Sequence, residues 1–141
     1  MAADFVFVWS PVPDWPATYP ATLVGRFSER GTLVEDWRIR SVRRIAPGDR
    51  AYIFAQARPH RCIFAVGTVD GPVKAAVSDR PHAMVPLRIE RIAPPDNGGL
   101  LSKAELDVIR PDALKGIRAS GVTLDTGLAR AIDDALLAKF G

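Results

Sequence analysis

The chain has 141 residues, 48% of them apolar and 25% charged, with a formal net charge of +3. That length suits one domain over residues 1–141 with a real core, and the composition excludes a disordered tract. A single cysteine, Cys62, excludes an internal disulfide framework and fits a reducing compartment.

Residues 4–9, DFVFVW, are β-branched and aromatic and read as a buried strand. The apolar run within them is far shorter than the roughly 20 residues that span a bilayer and lacks a basic leader or cleavage site. A cytoplasmic protein with no membrane partner is therefore expected. Next comes SPVPDWPATYPA, whose four prolines forbid regular structure along its length. It reads as a loop carrying Trp15 and Tyr19, residues that could close over a site or merely cover one end of the fold. In residues 21–30, Leu23, Val24 and Phe27 recur at helical spacing, with Gly31 placed as the stop.

The stretch EDWRIRSVRRIAPGDR follows. Between Arg26 and Arg61 there are nine arginines against four acids, Glu29, Glu35, Asp36 and Asp49, which makes a candidate anion-binding face. A solvated face in an Arg-rich chain is the plain alternative. Trp37, between Asp36 and Arg38, is a large aromatic in a polar setting, where a ligand contact explains it better than core burial does. If the backbone is extended there, Arg38 and Arg40 share a face. Asp49 reads as a turn residue.

Two apolar runs, residues 50–56 and 61–69, are separated by ARPH and predict an antiparallel strand pair. Tyr52 and Phe54 alternate with Ile53, so one set faces inward; the alternation does not say which. AMVPLRIERI, residues 83–92, is a third strong strand in which Pro86 marks an edge or a bulge. DNGGL reads as a turn rather than a phosphate cradle. The C-terminal part turns helical. Ser102 and Glu105 have the spacing of a capping box, and residues 125–140 place Leu128, Ile132 and Leu136 on one stripe, capped by Asp125.

Catalytic and metal chemistry find little support. His60 and His82 both lie in short Pro-containing loops and read as exposed turn residues. No ligand spacing for zinc is present and no phosphate-loop fingerprint, so no metal, no cofactor and no catalytic residue is expected. Cys62, inside a predicted strand, reads as a small buried hydrophobe. The chain reads as a binder.

Four segments carry a family likeness: the strand ending in Trp9, then DWRIRSVRRIAPGDRAYIF, then CIFAVGTVDGPV, and GIRASGVTLD ahead of the closing helix. Together they resemble the EVE domain of the PUA-like superfamily, particularly the EVE-like modules found beside HNH nuclease domains in restriction enzymes that recognise modified cytosine. The resemblance covers most of the chain, on motifs that are individually modest. It implies an α+β fold, a PUA-like small curved β-barrel flanked by helices, with a pocket for a nucleobase turned out of its strand. Two departures stand out. There is no HNH motif, so cleavage is not implied without a partner nuclease or other effector, and RCI stands where RGI would be expected, which leaves the backbone around Cys62 open.

The residue chemistry agrees with that implication. A flipped base needs a flat apolar sandwich and a few hydrogen-bond donors, while its distorted backbone is held by the phosphates. Stacking contributes about 1–3 kcal/mol per base, enough to offset much of the unstacking cost. The expected pocket residues are Trp9, Ser10, Trp15, Trp37 and Phe54, and the expected phosphate contacts are Arg38, Arg40, Arg43 and Arg61. DNA carrying methyl- or hydroxymethylcytosine is the preferred ligand. RNA, a protein ligand without nucleic acid, and a small nucleotide-acting enzyme are the rivals.

Overall fold

In the computed structural model, which describes residues 2–10, 18–39, 44–56, 61–76, 82–113, 115 and 120–141, the apolar run at the start forms β1 (Asp4–Trp9). It is followed by α1 (Tyr19–Arg30), β2 (Leu33–Ile39), β3 (Arg50–Ala55), β4 (Cys62–Val69) and β5 (Ala83–Ile92). A short β6 (Leu101–Ser102), α2 (Lys103–Ile109), a two-residue β7 (Val122–Thr123) and α3 (Thr126–Phe140) complete the described elements. Four strands and the three helices fall where the residue patterns predict. β2 does not: the basic stretch hides a strand whose inward positions are Leu33, Trp37 and Ile39, with Val34 and Asp36 outward.

The strands form one sheet in the order β2-β5-β4-β3-β1-β7, with β6 paired to the start of β4. β3 and β4 are antiparallel, as expected, whereas β1 lies parallel to β3, Asp4 opposite Arg50 and Trp9 opposite Ala55. Register shifts at Ile53/Phe54 and at Val66/Gly67 bend β4 against both neighbours. Gly67 is required at the second: a Cβ there would collide with the Arg88 carbonyl of β5. Pro86 lies just past the Val69–Leu87 end of the β4–β5 ladder, where its missing N–H costs no strand pairing and its carbonyl accepts from Asp70 N.

The curl brings the ends of the strand order together. Trp37 on β2 donates its indole N–H to the Val8 carbonyl of β1 at 3.2 Å, across the gap between first and fifth strands in the order. The result is an α+β fold, a small curved barrel flanked by helices. Its interior holds Phe5, Phe7, Trp9, Trp37, Ile53, Phe64, Val85 and Leu87, with Leu23 of α1 packed in. Tyr52, Phe54, Val6 and Val8 point out of the curl, against Leu106 of α2 and Leu128, Ile132 and Leu136 of α3. The capping box is present: Ser102 Oγ accepts from Glu105 N at 3.2 Å and Glu105 Oε1 from Ser102 N at 3.0 Å. No helix among the described residues is long and apolar enough to cross a membrane.

Candidate functional site

The C-terminal end of β1 is where the expected residues converge. The Trp9 carbonyl accepts from Gln56 N at 2.9 Å, which ties the end of β3 to it. Gln56 in turn accepts on its carbonyl from Arg61 Nε at 3.0 Å, and Arg61 directly precedes β4. On the other edge, beyond the reach of β7, β1 is served by side chains. Val8 N donates to Ser120 Oγ at 2.8 Å, and the Val8 carbonyl accepts from both Ser120 Oγ and the Trp37 indole. The Tyr19 ring stands edge-on to Trp37 at 5.9 Å between centroids.

Trp9 and Trp37 share this interior but differ in one respect. Trp37 is 0% exposed with its N–H on Val8. The expectation that core burial explains it poorly is therefore corrected: alternation along β2 turns it inward while its charged neighbours stay outside. Trp9 is 4% exposed and packs edge-to-face with Phe64, 6.3 Å between centroids, yet its Nε1 has no hydrogen-bond partner. Among the described residues it is the buried side-chain nitrogen or oxygen left so.

Phe54 is not brought to Trp9 and Trp37. It faces α2 and α3 on the opposite side of the sheet, because β3 alternates Ala51, Ile53 and Ala55 inward with Tyr52 and Phe54 outward, and its place as a pocket wall is corrected accordingly. Ser10, half-buried, continues directly from Trp9, and Arg38 follows Trp37 on β2. Trp15, Arg40 and Arg43 lie outside the described residues. The arginine excess is also smaller in effect than its number suggests. Arg26 is paired with Glu35 at 2.8 Å, and Arg50 with Glu90 at 2.9 Å and Asp133 at 3.7 Å at the far end of the strands. Arg61 spends only its Nε within the described structure.

Other groups have settled local roles. Asp49 is buried and receives the amides of Ala3 and Ala46, which closes the turn ahead of β3 and ties the N-terminus to it. Cys62 lies in regular strand between Ala55 and Ser102, and burial pushes its thiol up to about 12, so it is protonated and inert at neutral pH. In DNGGL the amides of Gly98 and Gly99 are already bonded to Pro95 and Pro94 carbonyls, which leaves no phosphate cradle. Among the described residues no group of three His, Cys, Asp or Glu side chains could hold a metal ion. Sequence reasoning missed the part played by Ser120, whose hydroxyl serves a strand 112 residues away; no local pattern announces such a contact.

No family model matches the chain, and no curated protein matches it. Among solved structures it is similar to protein PSPTO5229 from Pseudomonas syringae, at 15% identity and a TM-score of 0.60 over 95% of this chain and 99% of that one. It is also similar to a hypothetical protein from Leishmania major, at 10% identity and a TM-score of 0.63 over 99% and 97% of the two chains. At these identities the likeness is one of fold.

Proposed function

We propose that this chain is an EVE-type, PUA-like reader that holds a modified cytosine of DNA, methyl- or hydroxymethylcytosine, turned out of its strand at the C-terminal end of β1. The observation that carries the reading is the convergence there of Trp9, Ser10, Trp37, Gln56 and Arg61 on one margin of a curled sheet, with Arg38 next to Trp37 on the outer face of β2. A base taken out of its stack needs an apolar slot with polar groups at its edge, and its displaced backbone needs cations nearby. Arg38 and Arg61 serve the phosphates; Trp37 braces the slot from within the core. The chain acts in the cytoplasm as the recognition part of a system whose chemistry belongs to a partner nuclease or other effector, and carries no catalytic residue itself.

The test is an affinity panel of short duplexes and single strands, as DNA and as RNA, carrying unmodified, methylated or hydroxymethylated cytosine, or methylated adenine. Tightest binding to a modified-cytosine DNA, weakening steeply with added salt through counterion release, is expected. Equal affinity across the panel overturns the reading. Preference for an RNA member moves the ligand to RNA.

A further inference from the structure

We infer that the Trp9 indole N–H is the donor that meets an acceptor on the bound base, the O2 or N3 edge of a cytosine ring. The inference rests on the base-binding reading above and adds a specific atom to it. Buried polar groups in folded proteins are nearly always partnered, so an orphan inside a core calls for a cause. Among the described residues, the carbonyls that close this end of β1 are already engaged. The Val8 carbonyl already accepts from Trp37 and Ser120, and the Trp9 carbonyl from Gln56. The neighbouring indole shows that this interior can satisfy a tryptophan N–H when stability is the only demand. Trp9 ends β1 and adjoins half-buried Ser10, so the residue that carries the buried orphan donor stands at the strand end where the base is proposed to enter.

An indole N–H donates and cannot accept. It therefore has no use for the exocyclic amine of cytosine, and it does not touch the position that carries the methyl group. Trp9 fixes the base's ring edge; selectivity for the modification lies elsewhere in the slot. The probe is a single-stranded DNA with one 5-methylcytosine, compared with its unmodified counterpart. In the wild-type protein labelled with nitrogen-15 and carbon-13, the Trp9 Nε1–H resonance, assigned through its ring and backbone connectivities, should move downfield on saturation with the probe. Trp9→Phe should weaken both oligonucleotides by a similar factor, about five- to tenfold, and keep their ratio. If the probe binds while the Trp9 resonance stays in place, as it would were the N–H held by an internal water, the inference falls and the base-binding reading stands. If neither DNA binds, both fall together. Should Trp9→Phe lose folding, the resonance shift in the unmutated protein decides alone.

Discussion

Trp37 fills the interior where the curl carries β2 round to β1, so truncating it removes both volume and a side-chain clasp onto Val8. Trp37→Ala should cost about 3–5 kcal/mol of stability in a denaturant titration; a midpoint close to wild type would mean that the ring is not core. The milder Trp37→Phe leaves most of the ring but removes the indole donor, so that among the described side chains Ser120 alone still donates to the Val8 carbonyl. At the same scale, Cys62 supplies a native probe of opening. Its thiol is fully buried and held protonated by that burial, so alkylation at pH 8 should proceed only through unfolding and accelerate in proportion to any destabilisation introduced at Trp37. Rapid labelling of the folded protein would contradict the burial of Cys62, whose sulfur lies against Gly99.

Where β6 runs into α2, two residues fix the helix start reciprocally, and the start is anchored further by Lys139 of α3, which donates to Glu105 and to the Leu100 carbonyl. Ser102→Ala should lower stability by about 1 kcal/mol. Glu105 is held below the ordinary carboxylate range, first by the Ser102 amide and then by Lys139. A carboxylate depressed in the folded state stabilises above its unfolded value, and that contribution is lost as pH falls through the folded value. Glu105→Ala should therefore be less stable than wild type at neutral pH, and the two should converge only in acid, once pH has fallen through the depressed folded value; a gap that persists there would assign the loss to packing instead. The capping box was legible because it is local, three residues apart with a helix behind it. β2 was not, since only Leu33, Trp37 and Ile39 carry its inward face and the charges between them mask the alternation. Phe54 shows a different limit: a strand buried on both faces gives no polar side to orient by, so its outward direction is set by α2 and α3, which approach from fifty and more residues away.

Across the whole molecule, ion pairs consume much of the basic charge: Arg26, Arg50, Lys74, Arg88, Lys103, Arg110 and Lys139 each face an acid. The net charge of +3 is therefore a poor guide to the cations available to a ligand. Arg61→Ala should reduce the salt slope of DNA binding by about one unit while leaving the preference for modified cytosine unchanged; a changed preference would place Arg61 on the base instead. The same molecule-wide view bears on β1. Its principal partner, β3, begins 46 residues later at Arg50, and its remaining edge is met by Ser120 and β7 near the other end of the chain. During synthesis β1 thus leaves the ribosome ahead of the other described strands yet is the last of them to be enclosed, and it waits with an apolar, β-prone sequence and an open edge. A chain stopped before Ser120 would carry β3, β4 and β5 complete yet leave Val6 and Val8 without their closing contacts, so nascent chains arrested there should bind chaperones and resist cooperative folding until residues 120–141 emerge.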